Sequence, residues 1–221
     1  MNDFEKFAIS NGISSNKLYG YQQYANGLVS PSIVEERQLN AVTIDVFSAL
    51  IRDRVIYLNT HIDSDVASII NAQMMYLNSV DDSSDIKLFV SSGGGSVIDG
   101  LSIYDIMNWI NCDVSTYVMG MAASMASVLC SSGEKGKRYA LPNSTIMIHQ
   151  VSSGAYGQNA DIQIAAKESQ KWQNLLYNIL AQNTGKAFEE IERDADRDHW
   201  FMADEALEYG LIDEIIKKTK K

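Results

Sequence analysis

The chain has 221 residues, of which 46% are hydrophobic and 21% are charged, and only two are prolines. These proportions are typical of a globular domain with a hydrophobic core, and they exclude a largely disordered chain, a collagen and a coiled coil. The 28 acidic and 18 basic side chains leave a net charge of −10. Nucleic acid is therefore disfavoured as the main partner, because its phosphates repel an acidic protein.

The termini and cysteines indicate an ordinary intracellular protein. Residues 1–30 are polar with scattered aromatic side chains and no sustained period, so we expect a loosely ordered extension without a secretory signal. The longest apolar stretch, 118–130, is too short to span a bilayer. Cys112 and Cys130 lack metal-ligand spacing, which favours two free thiols over one disulfide. Residues 217–221 form a basic tail, for which a solvated C-terminus is the simplest interpretation.

From about residue 40, segments with helical and strand-like patterns alternate. Helices are predicted at 45–54, 64–80, 96–110, 122–132, 159–183, 187–195 and the start of 204–216; strands are predicted at 55–59, 86–92, 114–120, 137–142, 144–150 and the end of 204–216. This alternation predicts βαβ units and an α/β domain with a mostly parallel sheet.

The segment 159–183 is the longest predicted helix. Its stripe of apolar side chains is Trp172, Leu175, Leu176 and Ile179. About 25 residues at 1.5 Å each give a length of about 38 Å, which exceeds what one small core needs. We therefore expect part of this helix to pack against another subunit.

Three consecutive glycines, Gly93 to Gly95, lie between a predicted strand and a predicted helix. Glycines at such a turn let the backbone approach a ligand, and the helix start supplies unpaired N–H groups. The turn could hold a phosphate or a developing oxyanion, or it could be purely structural. The spacings of the known phosphate-binding loops are absent.

Ser124 and His149 are the residues most suited to nucleophilic catalysis. Ser124 follows a strand and begins a helix among small neighbours, as in a nucleophile elbow, although a close-packed helix explains the same pattern. His149 ends a strand, where ligand and catalytic groups of α/β sheets gather, although a core histidine is the commoner case. The orienting carboxylate could be Asp194, Asp196 or Asp198, and spacing does not choose among them. His61 and His199 are interpreted as surface residues.

Several motifs follow one another in the order of one known family. They are GGSV at 94–97, GLSIYD at 100–105, GMAASMA at 120–126, KGKRYALPNSTIMIHQ at 135–150, and ERDADRD at 192–198 with EALEYGLID at 205–213. Together they resemble the proteolytic subunit of the Clp proteases, ClpP, over residues 31–216. The resemblance implies an α/β ClpP/crotonase-like fold, a βαβ superhelix with a protruding handle of a long helix plus a strand at about 151–184.

The resemblance also implies an activity and its residues. Members of the family are serine endopeptidases that cleave unfolded polypeptides to short peptides through an acyl-enzyme. By matching motifs, Ser124 would be the nucleophile, His149 the general base and then the general acid, and Asp198 the carboxylate that holds the imidazole. The backbone N–H groups of Gly95 and Met125 would form the oxyanion hole. No cofactor or metal is expected, because ATP is used by the partner ATPase.

Assembly and partners are implied in the same way. Family members form two stacked heptameric rings, a 14-mer, with the handles joining the rings in the cytoplasm. Clp AAA+ unfoldases such as ClpX or ClpA/ClpC feed unfolded proteins into the rings and dock in apolar pockets. The matching positions here are Phe89, Trp109, Tyr139 and Ile216, for which plain core packing is the alternative. Neither nucleic acid nor membrane is an expected partner.

The chain departs from the family pattern in places near the expected sites. Ser91-Ser92-Gly93 stands where N-S-P is usual, and the lost proline leaves the turn freer before folding. Val151 replaces a usual proline, and Lys87 replaces a usual docking aromatic residue. The sequence 28–31 resembles the mature start of relatives, so residues 1–30 are interpreted as an N-terminal extension comprising a candidate propeptide, cleaved before Leu28, and an axial segment.

Two alternatives to an active protease follow from the same resemblance. A non-proteolytic ring subunit in a mixed assembly normally lacks triad residues, whereas this chain has all three. A crotonase-type acyl-CoA enzyme would share the fold and an oxyanion hole, but it has no use for an ordered serine, histidine and aspartate. A serine endopeptidase is therefore the favoured function.

Overall fold

The computed structural model describes residues 3–15, 18, 32–37 and 40–217. In chain order the elements are α1 (Asp3–Ser10), β1 (Ser32–Arg37), β2 (Asn40–Asp45), α2 (Val46–Arg52), β3 (Val55–Leu58), α3 (Ser64–Val80), β4 (Ile86–Ser92), α4 (Val97–Trp109), β5 (Val114–Ala123), α5 (Met125–Ser131), β6 (Arg138–Ala140), β7 (Thr145–Ile148), α6 (Asn159–Thr184), α7 (Phe188–Asp194), β8 (His199–Met202), α8 (Ala203–Tyr209) and β9 (Glu214–Ile215). The expected cleavage before Leu28 and residues 218–221 of the basic tail lie outside the described residues.

The main sheet is mostly parallel. Strands β3, β4, β5, β6 and β9 lie side by side in that order, each parallel to the next. The last residues of β5 also pair in parallel with β7, and β8 adds to β7 in the antiparallel direction. Strands β1 and β2 form a separate antiparallel hairpin. This arrangement confirms the predicted α/β class.

The central strands show why these residues form a sheet with a buried face. Ile86, Leu88 and Val90 alternate along β4 and are fully buried, whereas Lys87 is exposed and Phe89 is half-buried on the other face. A period of two is the periodicity of a pleated strand. The same face of the sheet thus supplies the core, and the opposite face remains partly open to solvent.

Side-chain caps begin the two helices that flank β4. The Asp63 carboxylate accepts hydrogen bonds from the N–H groups of Asp65 and Val66 at the start of α3. The Ser96 hydroxyl accepts one from the N–H of Asp99 at the start of α4. Such caps satisfy backbone donors that the first helical turn leaves unpaired.

Two predicted boundaries around Ser124 are wrong by about three residues. Strand β5 continues to Ala123 rather than ending at 120, and α5 begins at Met125 rather than at 122. The reason is tertiary, because the last residues of β5 pair with β7, which begins 22 positions later in the chain at Thr145. The residue between strand and helix is consequently Ser124.

The N-terminal prediction needs correction where the structure describes it. Residues Asp3–Ser10 form α1, which packs against α3 rather than remaining loosely ordered. Ala8 is fully buried, and the Phe7 and Tyr76 rings lie 5.5 Å apart. The prediction failed because a helix of only eight residues gives too short a pattern to separate from coil.

The long helix α6 has 26 residues, in agreement with the prediction. Its second half buries Leu176, Tyr177, Ile179 and Leu180, whereas Leu175, assigned to the apolar stripe, is 43% exposed. Almost all of its first half is exposed. Among the described residues, none of the helices combines the length and apolar character that crossing a bilayer requires.

The handle strand is absent from the described structure. Residues 151–158 contain no strand, and α6 begins directly after them. An extended segment becomes a strand only by pairing with another one, and no described segment pairs with 151–158. The Ser153 and Ser169 hydroxyls, 2.9 Å apart, connect this segment to α6 instead.

A buried ion pair joins β6 to the loop before β9. Arg138 Nε lies 2.8 Å from Asp213 Oδ2, and only 6% of the arginine side chain is exposed. Burial acts to raise the pKa of Asp213, but the hydrogen bonds from Arg138 outweigh it and hold that pKa below its usual value. The carboxylate also accepts from the N–H groups of Gly136 and Arg138. It therefore neutralises the guanidinium and connects the loop before β9 to β6.

We predict that Asp213→Asn lowers the free energy of unfolding by about 3–5 kcal/mol, because it leaves the buried Arg138 without its counter-charge. Urea denaturation at fixed protein concentration measures this change, since assembly adds to apparent stability. The matched control is Asp85→Asn, which removes a more exposed ion pair with Lys137 and should cost far less. Equal losses in the two variants would contradict the prediction.

Both cysteines are free, which the sequence favoured, and both are buried. Burial raises the pKa of the Cys130 thiol to about 12. At neutral pH this thiol is protonated and unreactive.

Candidate active site

Ser124 occupies a strained turn between β5 and α5. Its φ angle is +55°, a left-handed value that few non-glycine residues adopt. Its N–H donates to the Met147 carbonyl at 2.9 Å, so pairing with β7 holds this conformation in place. Although Ser124 is the N-cap of α5, its side chain caps no backbone N–H. The hydroxyl is thus available to another partner.

That partner is His149, which in turn contacts Asp198. His149 Nε2 lies 2.8 Å from Ser124 Oγ, and His149 Nδ1 lies 3.1 Å from Asp198 Oδ1. An ionised carboxylate only accepts hydrogen bonds, so Nδ1 carries the proton and donates it to Asp198. Nε2 of the neutral ring is then an acceptor, and the Ser124 hydroxyl donates to it. The three side chains form one chain of hydrogen bonds.

The three candidate aspartates, which residue spacing could not distinguish, have different partners in the structure. Asp194 accepts a hydrogen bond from the Tyr209 hydroxyl at 2.9 Å and pairs with Arg193. The carboxylate of Asp196 lies 4.0 Å from Arg197. Of these three aspartates, only Asp198 forms a hydrogen bond with the imidazole of His149.

Gly94 approaches Ser124, and Gly95 approaches Ile62, too closely for either glycine to carry a side chain. A Cβ on Gly94 would lie 2.7 Å from Cβ of Ser124, and one on Gly95 would lie 2.2 Å from the Ile62 carbonyl oxygen. The turn is held although it lacks the proline usual in relatives. The Ser92 hydroxyl donates to the Thr60 carbonyl and accepts from the N–H of Gly94.

Two backbone N–H groups beside Ser124 have no acceptor among the described residues. Ile62 bridges the turn by donating to the Gly94 carbonyl and accepting from the N–H of Ser96. Within the described parts of the chain, these bonds leave the N–H groups of Gly95 and Met125 unpaired. Unpaired amides beside a serine hydroxyl are the donors that an oxyanion requires. Of the three functions considered for the glycine turn, an oxyanion site is the one favoured by the serine hydroxyl beside these amides. A phosphate site or a purely structural turn would not require that hydroxyl.

Ser124 and His149 line a cleft of about 290 Å³. Its walls are mainly apolar and include Val97, Val128, Leu176 and Tyr177, so α6 forms one side of the cleft. Burial raises the pKa of Tyr177 to about 12, which keeps its hydroxyl neutral. Sequence reasoning missed these wall residues, because they come from helices far apart in the chain and share no motif.

The other two histidines differ in their surroundings. His61 is exposed, as predicted, and lies on the wall of the cleft. His199 is half-buried rather than a surface residue. Its ring stacks on Phe201 at 4.3 Å, and its Nδ1 lies 3.2 Å from the Asp194 carbonyl oxygen. The prediction failed because β8 was not recognised.

The proposed docking residues are only partly brought together. Phe89 and Tyr139 belong to a row of stacked rings across β3 to β6, in which Tyr57 and Tyr117 also take part, with centroids 4.6–5.6 Å apart. Ile216 lies beside this row, since its N–H donates to the Ala140 carbonyl at 2.9 Å.

Trp109, at the end of α4, is 69% exposed, and no ring contact of the described residues joins it to the others. Phe89 and Tyr139 are half-buried, which disfavours plain core packing. Tyr57 and Tyr117 were not predicted, because only the strand pairing places each of them beside Phe89.

Comparison with known proteins adds an independent line of argument. A sequence model of the Clp protease family matches residues 37–219. The ATP-dependent Clp protease proteolytic subunit of Porphyromonas gingivalis is 49% identical over 222 residues, which cover 100% of both chains. The subunit of the same name from Bacteroides fragilis is 53% identical over 192 residues, or 87% of this chain and 93% of that protein. The one from Ligilactobacillus salivarius is 48% identical over 86% of this chain and 97% of its own.

These similarities cover nearly the whole chain at close to half identity. They confirm the resemblance, the fold class and the serine-type peptidase activity predicted from the sequence. Nothing in them favours the non-proteolytic alternative. The chain therefore belongs to the Clp protease family.

Proposed function

We propose that the chain is the serine endopeptidase subunit of a compartmentalised, ATPase-coupled protease. The observation that carries the proposal is the chain of hydrogen bonds from Ser124 through His149 to Asp198, at 2.8 and 3.1 Å. An activated nucleophile needs this arrangement, in which a base contacts the hydroxyl and a third group orients the base.

The proposed reaction proceeds through an acyl-enzyme. The Ser124 oxygen attacks the peptide carbonyl while His149 Nε2 takes its proton, and the resulting imidazolium donates that proton to the leaving amine. Asp198 holds the ring in the required tautomer and stabilises its positive charge. The N–H groups of Gly95 and Met125 stabilise the oxyanion. Water then repeats the sequence and releases the acid product, with no cofactor on this chain.

The proposed assembly is two stacked rings of seven subunits in the cytoplasm. The exposed first half of α6, with Ile164 66% exposed, offers apolar surface for contact between copies. The curated relatives are named as subunits of ATP-dependent proteases. We therefore assign the aromatic row around Phe89 and Tyr139, with Ile216 beside it, to docking of a Clp AAA+ unfoldase such as ClpX or ClpA/ClpC. Trp109 would join this pocket from its place at the end of α4.

Two substrates of different size test this proposal. The protein alone is expected to hydrolyse a short fluorogenic peptide without ATP, and to degrade a folded protein only when a Clp ATPase and ATP are added. Native mass spectrometry counts the chains in the particle. Ring-sized particles that hydrolyse neither substrate, with or without the ATPase, would instead support a non-proteolytic subunit.

A further inference from the structure

The side chain of Gln150 connects the two segments that carry His149 and Asp198. Its Nε2 donates to the main-chain carbonyl of Asp196 at 2.6 Å. Gln150 directly follows His149 at the end of β7, and Asp196 lies two residues before Asp198 in the turn between α7 and β8. One hydrogen bond thus links the segment of the imidazole to the segment of the carboxylate.

The Asp198 carboxylate needs such a restraint. Its side chain is 61% exposed, and within the described structure its carboxylate contacts only His149. The β7–β8 ladder begins only at His199, so it holds the turn at one end. Gln150 provides a second attachment, on the other side of Asp198.

A second donor reaches the Asp196 carbonyl but cannot replace Gln150. Arg197 Nη1 lies 3.0 Å from the same oxygen. Arg197 belongs to the turn itself and is 83% exposed, so its hydrogen bond does not tie the turn to β7. Among the described residues, only the Gln150 amide ties this carbonyl to the strand that ends beside His149.

We propose that Gln150 is a positioning residue for the triad. Its amide holds the turn after α7 so that the Asp198 carboxylate stays within hydrogen-bonding distance of His149 Nδ1. The inference rests on the proposed function, because it concerns the residue assigned to orient the imidazole. Gln150 also lines the cleft, but its amide nitrogen is engaged by the Asp196 carbonyl, so its proposed action is through Asp198.

The test is a double-mutant cycle on the full-length protein. Gln150→Met keeps the length of the side chain and removes the donor, and it is expected to lower kcat on a short fluorogenic peptide about 10- to 100-fold, because small displacements of catalytic groups have effects of this size. KM should change by less than about twofold, since the bond contributes to orientation rather than to uniform binding. In an Asp198→Asn background the same substitution should change kcat by less than about twofold, because residues that act as a unit are not additive.

Controls separate positioning from folding and binding. Gln182→Met removes an exposed glutamine of α6 and should leave kcat, KM and the assembled mass unchanged. Gln150→Glu is the second variant, because an ionised carboxylate of similar size has no proton to donate, and it should lose at least as much activity. Melting temperature and native mass are measured for every variant.

Four outcomes would overturn the inference. Equal losses of kcat from Gln150→Met in the two backgrounds would show that it does not act through Asp198. A raised KM with unchanged kcat would show that Gln150 contacts substrate instead. If Asp198→Asn lowers kcat and Gln150→Met does not, only this inference fails; if Asp198→Asn itself keeps its kcat, the proposed role of Asp198 fails as well.

Discussion

Ser124→Ala is expected to lower kcat for peptide hydrolysis about 10⁶-fold, because loss of the nucleophile in such a unit removes the covalent route completely. The same substitution should abolish labelling by a fluorophosphonate probe. The wild-type chain should gain one adduct, seen as a single mass increment by intact mass spectrometry. The physical reason is the position of Ser124 Oγ. This atom lies 2.8 Å from Nε2 of its base, His149, and it caps no backbone N–H of α5.

A matched serine controls for the loss of a hydroxyl. Ser132 lies just past the other end of α5 and donates to the Val128 carbonyl, away from the cleft. Ser132→Ala should keep both peptide hydrolysis and probe labelling. An adduct that persists in Ser124→Ala would mean that another residue is the nucleophile. A folded, ring-sized wild-type particle that takes no adduct would mean that the site is misaligned before a partner binds.

Asp198→Asn is expected to lower kcat about 10⁴-fold with little change in KM, by analogy with the effect of this substitution in a serine-protease triad. The asparagine amide can donate to His149 Nδ1, which favours the tautomer with the proton on Nε2. A protonated Nε2 cannot accept the Ser124 proton, so the base is lost while the cleft keeps its shape. Initial rates over a range of peptide concentrations separate the two kinetic constants.

The control for Asp198 is an exposed acid outside the triad. Asp204 lies in the first turn of α8, and Asp204→Asn removes the same charge from the surface. It should keep the wild-type kcat. A comparable loss in both variants would attribute the effect of Asp198→Asn to surface charge. A loss confined to KM would place Asp198 in substrate binding instead.

Local patterns were enough to predict most of the fold. Apolar alternation in β4 and the helical periodicity of α3 place their boundaries within one residue of the predicted ones. Strands of this kind are recognisable because each residue's burial depends on its own position in the pleat. The same approach missed β8, whose four residues, His199 to Met202, become a strand only by pairing with β7.

Some residues of the site could likewise be predicted from local patterns, whereas one could not. Ser124 and His149 could be recognised as candidates because each lies at the end of an apolar strand-like segment, where catalytic groups of α/β sheets gather. The choice of Asp198 over Asp194 and Asp196 from residue spacing alone was impossible, since it depends on how the turn after α7 approaches β7.

The sequence by itself determined the class of the fold, the order of its elements and the chemical groups available for catalysis, because these depend on residue types and short-range spacing. Only the tertiary structure decided how the groups meet. Ser124 and His149 are 25 residues apart and His149 and Asp198 are 49 apart, yet all three come together at the edge of one sheet. Pairing between distant strands brings them together, and no local preference of the chain records that pairing.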